Sequence, residues 1–205
     1  MAGEVGHIVY AARLLTHLEG RVHDPLYWVG TVFPDIRHLG VVSRRRTHAG
    51  DTNLQSLVGH NDFHTGMRIH AWIDATREKF LRDQHMKEHL PWHPFVPFCL
   101  NLLEDELLYP YFDDWNLIHR LLNKTYADEL LYCSATSSLQ TWHTLLQNYF
   151  KNAPTDDSRA ELAEAIGLSP EVAQESNNIV RLLKSDGRAT KMLESFWQHL
   201  ETILR

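Results

Sequence analysis

The stretch TGMRIHAWIDATREKFLRD, residues 65–83, decides how the rest of the chain is read. Met67, Ile69, Ile73, Phe80 and Leu81 supply its apolar positions, and their spacing predicts an amphipathic helix from Thr65 to Asp83. On such a helix His70 and Asp74 stand four apart, so both side chains leave one face a single turn from each other. Trp72 then turns away from His70, toward a core. An imidazole and a carboxylate placed that way reach one cation. Zinc, manganese, iron and nickel all accept this mixture of nitrogen and oxygen. Taken alone the pair is a weak signal, because a hydrogen-bonded pair on a helix surface has the same spacing.

The same period recurs on both sides of this helix. Val5, Ile8, Val9, Ala12, Leu15 and Leu18 mark a first helix. Asp24 followed by Pro25 predicts the start of a second, through Tyr27, Trp28 and Val29, which stops before Pro34. From Ile36 to Asn53 there are glycines, three consecutive arginines and no sustained period, so a long loop is expected, with a helix beginning near Asp51 or Thr52. The segment HLPWHPFVP connects into a helix from Phe95 to Leu108. Asp113 and Asp114 cap the next helices, one over Leu117–Asn123 and a long one over Tyr126–Phe150. The stretch KNAPTDDS at 151–158 reads as a linker. Beyond it, helices are expected over Arg159–Ile166, Pro170–Leu183 and Thr190–Leu204. No sustained alternating pattern of strands and no internal repeat is present. The expected class is all-α: a multi-helix metal-binding domain over residues 1–150, with residues 155–205 as a helical appendage. Leu182, Leu183, Met192 and Phe196 would pack that appendage against the domain.

Composition narrows the function. The 205 residues are 43% hydrophobic with a net charge of −6, which permits a sizeable core and argues against binding long nucleic acid. Cys99 and Cys133 form no CxxC pattern and suit a reducing compartment. No apolar run approaches the roughly 18 residues of a membrane span. The opening MAGEVGHIVYAARLL places Glu4 and His7 where a signal peptide is apolar. A soluble cytoplasmic protein is expected, its oligomeric state left open.

The histidines are concentrated. Of 14, only His119, His143 and His199 lie in the last hundred residues. Asp35 follows Pro34 at the end of an apolar helix, where a carboxylate is held rigidly. His48 ends the run Arg44-Arg45-Arg46-Thr47-His48, and His7 sits among apolar neighbours. His60 and His64 are a further pair four apart, with Asp62 between them. The arginines at 44, 45, 46 and 77 could hold a phosphate, since guanidinium matches its oxygens two at a time.

The order GTVFPDI, then RTH, then GMRIHAWID resembles the bacterial zinc-dependent phospholipase C family, which shares its helical fold with single-strand-specific nucleases. The resemblance covers roughly residues 4 to 82. It implies a metal sphere of Asp35, His48, His70 and Asp74, with Asp74 bridging to a second ion that His7 helps hold. Two departures stand out. The secreted enzymes use a processed N-terminal amine as a ligand with the first histidine well downstream, whereas His7 here is close to Met1. Their HxxxE motif for a third metal is missing, and His85, His89 or His93 with Glu104 or Asp105 would have to substitute, although carboxylates in LLEDELL read as surface charges. The run GMRIHAWIDATREKF is also similar to acyl-carrier-protein phosphodiesterases, relatives of the HD-type phosphohydrolases. Both resemblances imply a metal-dependent phosphodiester hydrolase with one or two divalent ions, zinc foremost. The substrate would be a small phosphoester, a phospholipid head group or a nucleotide. Arg46 and Arg77 would bind its phosphate, and Asp62 and His64 would serve as base or as supports of the ligands. The rival expectation is a non-catalytic helical protein that binds a metal or ligand.

Overall fold

The computed structural model describes residues 2–18, 25–48, 54–58 and 61–204. Asp24, the helix start near Asp51 or Thr52, and His60 lie outside them. Among the described residues there are helices and no strand, so the chain is all-α. None of those helices is long and apolar enough to cross a membrane.

Helix α1 (Glu4–Leu15) is buried along most of its length and packs on α2 (Leu26–Val32), α4 (Asp62–Asp83) and α6 (Val96–Leu108). Helix α4 begins earlier than its apolar period suggests. Asn61 accepts a hydrogen bond from the amide of His64 at 2.9 Å, capping the helix start. The helices α2 and α4 cross with their backbones in close approach at Gly30 and Gly66.

The segment expected as a loop from Ile36 is partly ordered helix. Helix α2 continues into a 3-10 turn over Phe33–Leu39, and α3 (Arg44–Thr47) comes next. Pro34 has no amide hydrogen for the α ladder, yet its fixed φ suits the start of a tighter turn. Gly40 closes that turn at φ 73°. The expected long helix over Tyr126–Phe150 is broken into α8 (Ala127–Leu130) and α9 (Thr136–Phe150), after α5 (Met86–His89) and α7 (Trp115–Leu121). Serine, as at Ser134, favours turns and caps over helix interiors. The buried Glu129 and His143 join α8 to α9 through a 2.7 Å hydrogen bond.

Three more helices complete the chain: α10 (Asp156–Ala165), α11 (Pro170–Asp186) and α12 (Arg188–Ile203). They lie against α9, α6 and α4. The Phe196 ring of α12 sits 5.2 Å from Tyr10 and 5.4 Å from Phe80. Leu183 is buried as expected, but Leu182 is 52% exposed, since adjacent residues on a helix face different ways.

Candidate metal centre

Two helices meet to build the site. Because α2 and α4 touch backbone to backbone, the Thr31 carbonyl lies 2.9 Å from His70 Nδ1. A carbonyl only accepts, so that nitrogen carries the ring proton and His70 Nε2 presents a lone pair. Nε2 is buried with no hydrogen-bond partner. It stands 3.7 Å from Asp35 Oδ2 and 3.8 Å from Asp74 Oδ2. His48 Nε2 approaches the same Asp74 oxygen at 3.3 Å.

These spacings fit a cation. Donors placed ~2.1 Å from a tetrahedral ion lie ~3.4 Å from one another. Asp35, His48 and His70 also place ligand atoms within 4.8 Å of one another, as do His7, His70 and Asp74. His7 stacks on His70 with ring centroids 3.7 Å apart and bonds the other Asp74 oxygen, Nε2 to Oδ1, at 3.1 Å. The amide of Ala2 donates to Asp74 Oδ1 at 2.9 Å, so the chain reaches the site ahead of α1.

Electrostatics keep the donors in metal-ready form. Burial, followed by the neighbouring His7, pushes His70 down to about 3, so its ring is neutral at neutral pH. Burial raises the Asp35 and Asp74 carboxyls, but the facing histidines outweigh it and hold both below the usual carboxylate range. For Asp35 the opposing groups are His70, the bond from His38 and His7. For Asp74 they are bonds from His48 and His7, then His70.

No family model matches the chain, and neither does any curated protein or solved structure.

The other expected residues fall in different places. Arg77 is buried on α4, its Nε 2.8 Å from Glu104 Oε2, and it lines a cavity of about 830 Å³. Arg37, Arg44 and Arg82 line the same cavity together with apolar Leu81, Met86, Phe98 and Leu100. Arg37 and Arg44 tie it to the donors: Arg37 Nη2 is 2.9 Å from Asp35 Oδ1 and Arg44 Nη2 is 3.8 Å from Asp74 Oδ2. Arg46 does not line that cavity. Its two Nη groups donate to the carbonyls of Tyr132 and Leu131, both at 2.9 Å, and the guanidinium lies over the Tyr132 ring. Asp62 and His64 sit in the first turn of α4 and belong to none of the converging donor groups. His64 is held between Asn61 at 2.7 Å and the Tyr132 hydroxyl at 2.8 Å.

Glu104 and Asp105, expected at the surface, are fully buried. Glu104 accepts from Tyr10 at 2.6 Å, and Asp105 accepts from the Gly6 amide at 2.8 Å and Tyr149 at 3.0 Å. His85, by contrast, is exposed and pairs with Glu88. Sequence reasoning also passed over Glu4, which is 7% exposed and shares a ligand group with His7 and Asp35. Its place one turn before His7 is the kind of spacing that singled out His70 and Asp74.

Proposed function

We propose that the protein is a metal-dependent phosphoesterase acting on a small phosphodiester. The observation that carries this reading is the joint placement of donors and arginines. Asp35 and Asp74, which face His70 and His48 at cation spacing, are the same carboxylates that Arg37 and Arg44 reach from the 830 Å³ cavity. The resemblance to zinc-dependent phospholipases C and single-strand nucleases supports it, as do the acyl-carrier-protein phosphodiesterase-like residues.

A divalent ion held by Asp35, His48, His70 and Asp74 would lower the pKa of a bound water to about 7 and polarise a phosphoryl oxygen. The chain's own residues do the rest. Thr31 fixes the His70 ring, and His7 and the Ala2 amide fix Asp74. Arg44, more than half exposed at the cavity, is free to meet a phosphate oxygen while remaining near Asp74. Arg77, anchored by Glu104, offers a second guanidinium. Leu81, Met86, Phe98 and Leu100 give the cavity an apolar surface for the organic part of the ester.

Hydrolysis of bis(p-nitrophenyl) phosphate tests the reading. Activity should appear with zinc, manganese, iron or nickel, stop on chelation and return with the metal. A second reading rests on one feature: four protein donors also describe a closed structural zinc site. A metal-loaded protein inactive on every phosphoester class, whose melting temperature still falls on chelation, would establish that non-catalytic reading instead.

A further inference from the structure

His48 and His70 both face Asp74 Oδ2, yet their rings are held by different groups. The Thr31 carbonyl, which can only accept, leaves His70 a single tautomer. The Nδ1 of His48 instead lies 2.9 Å from the hydroxyl of Thr47, its one hydrogen-bond partner among the described residues. A hydroxyl can donate or accept, so this contact fixes the tautomer only if the hydroxyl proton is committed elsewhere.

That proton has a place. A helical threonine can turn its hydroxyl back to a carbonyl one turn earlier. Thr47 does so, its Oγ1 donating to the Arg44 carbonyl at 3.3 Å. The same carbonyl accepts the His48 amide at 2.8 Å, which closes the single turn of α3. With its proton spent, Thr47 meets His48 Nδ1 as an acceptor, and Nδ1 carries the ring proton. Thr47 is 2% exposed and the His48 side chain 6%, so solvent has little access to replace the bond.

The other tautomer would close the site. A proton on His48 Nε2 would point at Asp74 Oδ2, 3.3 Å away. It would occupy both the lone pair and the carboxylate oxygen that an ion needs. Asp74 therefore draws the ring proton to one nitrogen and Thr47 to the other, and the low-dielectric interior strengthens both attractions. In the structure Nε2 is buried and makes no hydrogen bond, which is the arrangement that Thr47 favours.

We propose that Thr47 is a positioning residue of the metal centre: its hydroxyl, anchored on the Arg44 carbonyl, holds His48 with the proton on Nδ1 and leaves Nε2 open to a divalent cation. The proposal rests on the reading of Asp35, His48, His70 and Asp74 as one metal sphere. The anchor is backbone, so the Arg44 side chain takes no part in it. A packing role for Thr47 would need only the shape of the side chain, and valine has that shape.

The test compares Thr47→Val, which loses the hydroxyl, with Thr47→Ser, which keeps it. Zinc affinity of the full chain is read by competition with a chromophoric chelator. Ring tautomers are read on the zinc-free protein by long-range proton–nitrogen NMR. Thr47→Val should weaken zinc roughly 10–100-fold and move the His48 proton to Nε2, while His70 keeps its proton on Nδ1. Thr47→Ser should bind zinc within about threefold of wild type. A folded Thr47→Val protein with wild-type zinc affinity overturns the proposal. So does a wild-type His48 whose proton sits on Nε2, a result that needs no variant and decides the matter if valine unfolds the chain. Wild-type protein that binds no zinc removes this proposal and the metal reading together. Zinc binding with the expected tautomers in a protein inactive on phosphoesters leaves Thr47 in its role and removes the phosphoesterase reading alone.

Discussion

Gly30 and Gly66 bring α2 and α4 into backbone contact. A Cβ on Gly66 would lie 2.1 Å from the Tyr27 carbonyl oxygen, and one on Gly30 would lie 2.0 Å from that of Phe63. Backbone cannot move aside as a side-chain tip can. Gly66→Ala should therefore push the helices apart, costing about 3 kcal/mol in urea unfolding. The same shift would draw Thr31 away from His70 Nδ1, so metal content should fall in whatever protein remains folded. An alanine variant with unchanged stability and unchanged metal would show that the crossing is not what sets His70.

Asp74 has the most to lose from a neutral replacement. Its Oδ1 meets His7 and the Ala2 amide, and its Oδ2 faces His48, His70 and Arg44. Asp74→Asn keeps the volume and removes the charge. Bound zinc should drop below detection by elemental analysis, and phosphodiester hydrolysis should fall on the order of a thousandfold. Activity that persists in the metal-free variant would place the chemistry elsewhere.

Arg44 and Arg46 should separate in their kinetics. Arg44→Ala removes a guanidinium at the cavity and should raise KM roughly tenfold with zinc content unchanged. Arg46→Ala instead frees the carbonyls of Leu131 and Tyr132 and should lower stability by ~1 kcal/mol or less, with KM unaltered. Reversal of the two phenotypes would move the phosphate site to the far side of α3.

Stability of the metal-free protein should depend on Asp105. Burial raises its carboxyl from 3.8 to about 7, the Gly6 amide opposing and Glu104 adding to the rise. Because the folded value lies above the unfolded one, the fold favours the neutral acid. Its contribution is fully present below pH ~4 and is lost as pH climbs through ~7, by an amount on the order of 4 kcal/mol. Asp105→Asn should flatten the decline in unfolding free energy across that window. A pH profile identical to wild type would assign the titration to another group.

The helical class was legible in the chain because apolar residues recur at helical spacing from Val5 to Leu204, and that period depends on local sequence alone. His70 and Asp74 could be paired for the same reason: two residues four apart on one helix share a face wherever the helix goes. Other features depended on contacts between distant segments. Glu104 and Asp105 read as surface charges, yet Gly3, just ahead of α1, and Gly6 within it leave room for their carboxylates, and both side chains are buried. Arg44 and Arg46 are two residues apart in one basic run. Only the turn of α3 against α4 and the segment after α8 directs one toward Asp74 and the other to backbone carbonyls. Periodicity states which residues share a face. Which face meets which, and so which charges are buried together, is decided by packing, where glycines at a crossing admit approaches that no local pattern records.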